Sequence, residues 1–193
     1  VPYRSSEDLE WRLTPRPYTC EDQRFAARRP AVLVYETSVL EQDLTLTGEL
    51  LAELFVSTDK TDADWVVKLV DVFPGDTANQ EHTPEDVQLA NHHMLVRSEI
   101  LRGRFRNGFT TPEPFEPNKA TEVRIPLQAV NHTFKKGHKL QIQIQSTWFP
   151  LFDRNPQNFV ENIFEAEVSD YVKAKHTVYE GGAAASRIRF SVR

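Results

Sequence analysis

The most informative part of the sequence is the segment at residues 134–156, FKKGHKLQIQIQSTWFPLFDRNP. It opens on a basic turn at 135–137 and continues into a strand in which Leu140, Ile142 and Ile144 alternate with three glutamines. Period-two alternation of this kind predicts a β-strand with one buried face and one polar face. An aromatic loop at 148–156 follows at once, so the segment predicts a sheet protein with an unusual loop at one strand end.

Other short strand patterns surround this one, with turn signals between them. The segment 65–73 is apolar on both faces, which predicts a central strand, and Pro126 predicts that 123–127 is an edge strand. We predict one short helix, at 159–168. About nine short strands with little helix predict an all-β fold, an antiparallel β-sandwich. The predicted strands are 32–36, 44–46, 50–57, 65–73, 94–105, 123–127, 140–145, 175–179 and 188–192.

The first 30 residues differ in composition from the rest of the chain. Prolines at 2, 15, 17 and 30 exclude long regular structure there, although a short helix at 7–13 is compatible with the pattern. We predict a connecting arm at 1–30 and one domain at 31–193. The chain opens on Val1 without a methionine, so we expect it to be a fragment of a longer protein.

Composition narrows the class of partner. The net charge of −5 argues against nucleic acid as a partner. Basic residues cluster locally at 24–29 and at 102–106, and we interpret both clusters as solvated or ion-paired faces. No apolar run approaches the roughly 20 residues that a membrane helix needs, so no membrane partner is predicted. The single cysteine, Cys20, excludes an internal disulfide.

The sequence contains no recognisable catalytic motif. A nucleophile elbow needs Gly-x-Ser-x-Gly, and none of the serines is flanked by glycine in that way. Phosphate-binding and metal-binding motifs are equally absent, and Asp59, Asp62 and Asp64 lack the remaining ligands of a calcium loop. We therefore predict no catalytic residue, no cofactor and no metal in this chain, which should be inactive by itself.

Five motifs in a fixed order carry a family resemblance. The chain resembles the carboxy-terminal domain of serine hydrolases of the X-prolyl dipeptidyl peptidase and cocaine esterase type. Within that group it is most similar to the α-amino acid ester hydrolases and glutaryl-7-aminocephalosporanic acid acylases. Residues 78–93 look less typical of the family. The motifs lie at 21–35, 63–74, 102–106, 133–138 and 149–156.

This resemblance implies a jelly roll of the galactose-binding-domain type and a function that is not catalytic. The serine hydrolase or acylase triad would lie in an α/β-hydrolase catalytic domain, which is absent from this chain. The domain would pack on that catalytic domain as its partner, helping to shape the acyl pocket or a homo-oligomer contact. The most similar branch is often exported, so the resemblance favours a periplasmic or secreted location.

The aromatic loop supplies the candidate site residues. We predict that it docks on the catalytic domain through Trp148, Phe149, Leu151, Phe152, Asp153 and Arg154. A second interpretation is that Phe149 and Phe152 fill the end of this domain's own core. A different function class, a carbohydrate-binding β-sandwich module, would use exposed aromatic platforms, for which Trp11, Trp65 and Trp148 are the candidates.

Overall fold

The computed structural model describes residues 21–85, 87–182 and 185–193. They form an antiparallel β-sandwich, which confirms the predicted all-β fold class. The predicted helix at 7–13 and Trp11 lie outside these residues, and the role of 1–30 as a connecting arm stays a prediction. The elements are α1 Arg24–Ala27, β1 Val32–Glu36, β2 Leu44–Thr58, β3 Asp64–Val72, β4 His93–Arg102, β5 Thr121–Phe134, β6 Lys139–Gln145, β7 His176–Val178 and β8 Arg187–Val192.

Two sheets make the layers of the sandwich. The first has the strand order β1-β6-β3-β4, and the second places β5 on one side of β2 and both β7 and β8 on the other. The predicted central strand is confirmed, because β3 lies between β6 and β4 and all its residues except Val72 are buried. The predicted edge strand is also confirmed, because β5 pairs with β2 alone in its sheet.

Strand β2 is longer than the sequence predicts. Two short strands separated by Gly48 were expected, but one strand runs through the break. The ladder to β5 shifts register between Gly48 and Leu50, and Gly48 adopts a left-handed φ of 81° that other residues rarely tolerate. A β-bulge therefore absorbs the break without ending the strand.

The predicted helix at 159–168 is wrong. The chain forms two separate 3-10 turns instead, Ile163–Glu165 and Val168–Asp170. Asn162 is extended and its side chain accepts a hydrogen bond from the Phe164 amide, so it caps the first turn. Glu167 is extended as well, which separates the two turns and prevents a continuous helix.

The main core lies between the two sheets. Trp65, Val67 and Leu69 on β3 pack against the inward side chains of β2 and β5, such as Leu54 and Ile125. These side chains alternate along their strands, as the apolar face of each strand predicts. Burial of this face supplies the hydrophobic stabilisation of the sandwich.

A second buried layer covers the outer face of the first sheet, and it is polar. Gln141 and Gln143 are fully buried, although the alternation in β6 indicated a polar face and not a covered one. The segment 21–30 crosses this face: the Gln23 amide donates to the His93 carbonyl on β4, and the Gln143 amide group donates to the Gln23 carbonyl. The arm residues thus convert a polar face into an interior.

A histidine pair joins the two sheets through one carboxylate. Asp71 on β3 is buried, and its oxygens lie 2.7 Å from His138 Nδ1 and 2.9 Å from His132 Nε2. His132 belongs to β5 in the second sheet, so this carboxylate connects the layers.

Candidate docking surface around the aromatic loop

The aromatic loop leaves the end of β6 and turns over the outer face of the first sheet. Trp148 is only 5% exposed, and Lys68 Nζ lies 5.0 Å from the centre of its ring. Trp148 therefore belongs to the interior of this domain. Trp148 packs in the polar outer layer and not in the core between the sheets, where Trp65 lies.

The other predicted docking residues lie at the surface. Phe152 is exposed and its ring lies 5.8 Å from that of Trp148, while Phe149 and Leu151 are half-buried. Asp153 and Arg154 are exposed. The Arg154 guanidinium lies 4.4 Å from the centre of the Phe149 ring.

Asp64 fixes the end of the loop. Its side chain is buried and accepts a hydrogen bond from Asn155 Nδ2 at 2.8 Å and from Arg102 Nε at 3.2 Å. Burial raises the pKa of Asp64, and the charge of Arg102 opposes that rise. This carboxylate therefore ties the loop to strands β3 and β4.

A second buried ion pair fixes the segment that follows. Arg104 Nε donates to Asp62 Oδ2 at 2.8 Å, and Arg104 Nη1 donates to the Val160 carbonyl at 2.7 Å. The same guanidinium lies 4.4 Å from the Phe159 ring. Because both charged groups are buried, this pair holds residues 157–160 in one position.

The sequence alone does not connect these four charged residues. Asp62 and Asp64 lie in an incomplete calcium-loop pattern, and Arg102 and Arg104 lie in a local basic cluster whose partners the sequence does not identify. The signal that could have connected them is their equal spacing, because Asp62 and Asp64 are two residues apart and so are Arg102 and Arg104. Asp64 faces Arg102 in the β3–β4 ladder, so equal spacing places the second pair in reach as well.

The 3-10 turns that replace the predicted helix extend the exposed apolar surface. Phe164 is 79% exposed and Val168 is 91% exposed, and Tyr171 is also exposed. A cleft of about 620 Å³ separates these residues from Phe149 and Arg154 and is lined by both groups. We call the set Phe149, Phe152, Arg154, Phe164, Val168 and Tyr171 the docking surface.

The structure also places the residues of the alternative functions. Trp65 and Trp148 are both buried, so neither offers a flat platform for a sugar ring. Asp59 accepts a hydrogen bond from the Lys175 amide at 2.8 Å and shares no site with Asp62. In residues 21–85, 87–182 and 185–193 no group of three or more potential ligands is arranged to hold a metal ion.

Comparison with known proteins agrees with this geometry. The family model described as X-Pro dipeptidyl-peptidase C-terminal non-catalytic domain matches residues 13–189. The cocaine esterase of Rhodococcus sp. strain MB1 Bresler is 32% identical over 167 residues, covering 86% of this chain and 26% of that protein. Both findings confirm the resemblance that the motifs indicated.

Two solved structures show the same fold at higher identity. An aminopeptidase from a marine sediment Thaumarchaeota archaeon is 41% identical, with a TM-score of 0.83. The match covers 90% of this chain and 28% of the aminopeptidase chain. An α-amino acid ester hydrolase is 40% identical, with a TM-score of 0.84. The match covers 91% of this chain and 28% of the hydrolase chain. The chain thus spans about a quarter of the length of the relatives it matches. No helix in the part of the chain that the structure describes is long and apolar enough to cross a membrane.

Proposed function

The chain belongs to the family of X-Pro dipeptidyl-peptidase C-terminal non-catalytic domains, and from that premise we propose that it docks on an α/β-hydrolase catalytic domain through its docking surface. The whole protein would be a serine hydrolase that acts on ester or amide acyl groups. The domain would buttress the catalytic domain and help to shape its acyl pocket. A contact between copies of the chain is the other role that the family resemblance implies.

The exposure of Phe164 and Val168 is the observation that carries this proposal. Large apolar side chains that are mostly exposed and lie beside one another mark interaction sites on soluble proteins. Here they border a cleft together with Phe149, Arg154 and Tyr171. Aromatic residues and arginine are the types enriched in protein interfaces.

The fixation of the loop supports the same function. Binding a partner costs conformational entropy, and a surface that is already held in its bound shape avoids much of that cost. The ion pair between Asp62 and Arg104 and the contact of Asn155 with Asp64 hold residues 153–160 in place. A loop held by buried ion pairs is well suited to meet a rigid partner.

We expect a Phe164→Glu/Val168→Glu variant of the full-length hydrolase to lose its interdomain contact. A charged carboxylate at a desolvated interface centre costs about 2 kcal/mol or more per residue, which weakens association by at least about thirtyfold. Hydrogen exchange of the full-length protein measures this, because amides at 163–171 should be protected in the wild type and exchange faster in the variant.

Phe109→Glu provides the matched control for this experiment. Phe109 is also largely exposed but lies outside the docking surface, beside Phe105. Its variant should leave exchange at 163–171 unchanged. If the double variant behaves like the Phe109 variant, or if 163–171 exchanges freely in the wild-type full-length protein, the docking surface is not where the domains meet.

A further inference from the structure

The sandwich is open along one edge, between β1 of the first sheet and β7 and β8 of the second. A cavity of about 310 Å³ lies there between the layers. Its floor is formed by Leu54, Ile142 and Ile144, which belong to the main core, and Ile188 closes one side. We call this cavity the edge slot.

Side chains that face the core remain exposed along this edge. Leu33 pairs with Ile144 in the β1–β6 ladder, so it points inward, yet it is 43% exposed. Val192 pairs with the buried Leu46 in the same way, yet it is 55% exposed. At the opposite edge the sheets meet, and Arg97 Nε donates to the Ala129 carbonyl at 2.9 Å. The edge slot is therefore a local opening of the core.

Polar groups gather at the mouth of the slot. The Tyr35 hydroxyl donates to Glu180 Oε1 at 2.7 Å. Burial, together with the hydrogen bond to Glu180 and the charge of Glu180, raises the pKa of Tyr35 to about 12. The tyrosine therefore remains a neutral donor, and Glu180 is the anion at the mouth.

Among the residues that the structure describes, Glu180 is the ionic group of the slot without a counter-ion. Arg187 also lines the slot, but its guanidinium is paired with Glu53 on the outer face of the second sheet. Ser186 is engaged as well, because its hydroxyl accepts from the Phe55 amide and donates to the Phe55 carbonyl. Within the described residues Glu180 forms no ion pair, so a cation from outside would find it available.

We propose that the edge slot binds a small ligand that carries an apolar aryl or branched-alkyl group next to an ammonium group. The apolar part would lie between Leu54 and Ile188, with the ammonium on the Glu180 carboxylate. A cavity of about 150 Å³ suffices for benzene, so the slot has room for a phenyl group and a short chain. Ligand sites of this size combine an apolar lining with a few polar groups that fix orientation.

The charge of Glu180 determines which class of ligand fits. A neutral ligand that covers the mouth would desolvate the carboxylate and leave its charge uncompensated, and an anion would be repelled by it. An ammonium donates to the carboxylate, and charge-assisted hydrogen bonds are stronger than neutral ones. None of the residues that line the slot belongs to the docking surface, so this site is independent of domain docking.

Titration of the purified chain with 2-phenylethylammonium and with 2-phenylethanol tests the proposal. The two probes share the apolar part and differ in charge. We expect saturable chemical-shift changes at Ile142, Ile144 and Ile188, with the ammonium bound about tenfold more tightly than the alcohol. Saturable binding of the alcohol with equal affinity, or no saturable binding of either probe, would overturn the proposal.

Two variants locate the site and a third serves as control. Glu180→Gln should remove the tenfold preference and leave the affinity for the alcohol unchanged. Ile188→Trp should fill the slot and abolish binding of both probes, with far-ultraviolet circular dichroism reporting whether it folds. Glu161→Gln changes an exposed carboxylate outside the slot and should leave both affinities as in the wild type. A Glu180→Gln protein that still prefers the ammonium contradicts the assignment.

Discussion

In the wild type we expect the free energy of unfolding to increase by about 1.4 kcal/mol per pH unit between pH 7 and pH 10. Replacing Lys68 with methionine is expected to abolish this increase. Lys68 is fully buried in the polar outer layer, with Nζ 2.9 Å from Gln23 Oε1. Its ammonium lies 5.0 Å from the Trp148 ring and 5.7 Å from the Phe25 ring. Within the described residues no carboxylate pairs with it.

The sign of this effect follows from the pKa of Lys68. Burial, together with the nearby charge of Arg29, lowers that pKa from 10.5 to about 7. Between these two values the unfolded chain binds a proton that the folded chain does not. Stability therefore increases as pH rises from 7 towards 10.5, and the full penalty of burying the charge applies below pH 7.

Urea unfolding of the wild type and of Lys68→Met at pH 7, 8 and 9 measures this slope. Methionine has no charge to bury, so its advantage over the wild type should be largest at pH 7 and shrink by about 2 kcal/mol by pH 9. Lys136→Met replaces an exposed lysine and should follow the wild type at each pH. If the free energies of unfolding of Lys68→Met and the wild type differ by the same amount at every pH, the pKa of Lys68 is not lowered in the folded state.

Replacing Arg104 with methionine is expected to destabilise the domain by about 3–5 kcal/mol. The variant leaves Asp62 buried without its counter-ion, and the remaining hydrogen bond from the Ala63 amide does not neutralise the charge. It also removes the hydrogen bond to the Val160 carbonyl, so residues 157–160 lose their anchor.

Two further variants separate the causes of this loss. The double variant Asp62→Asn/Arg104→Met no longer buries an unpaired charge and should recover most of the lost free energy of unfolding. Arg189→Met removes an exposed arginine from Glu53 and should cost less than about 1 kcal/mol, because exposed pairs contribute little. If Arg104→Met costs no more than Arg189→Met in urea unfolding, the buried pair does not stabilise the domain.

Several features of the fold could be predicted because they depend on neighbours in the chain. The alternation of Leu140, Ile142 and Ile144 indicated β6, and apolar residues on both faces of β3 indicated a central strand. The five motifs indicated the family, because each is a short stretch of sequence that can be recognised without knowing which residues it contacts in the fold. Strand β2 shows the limit of this reasoning: Gly48 indicated a break, and pairing with β5 on both sides of it maintains one strand.

The aromatic loop shows which part of the candidate site the sequence could not predict. Its composition indicated an interface, but composition does not indicate whether an aromatic side chain points into the domain or into solvent. Trp148 turns towards Lys68 and is interior, whereas Phe152 stays exposed. The exposed Phe164 and Val168 lie in a segment for which the sequence predicts a helix, so the sequence does not indicate that they belong to the same surface.

Local sequence patterns are sufficient to predict the all-β class, the central and edge strands and the family, and they show no catalytic motif. Which polar residues are interior depends on contacts between distant segments of the chain. Gln143 and Gln23 are 120 residues apart in the chain, and their contact covers a face whose pattern reads as polar. Period-two alternation reports the chemistry of each face, whereas burial depends on what a distant segment places against it.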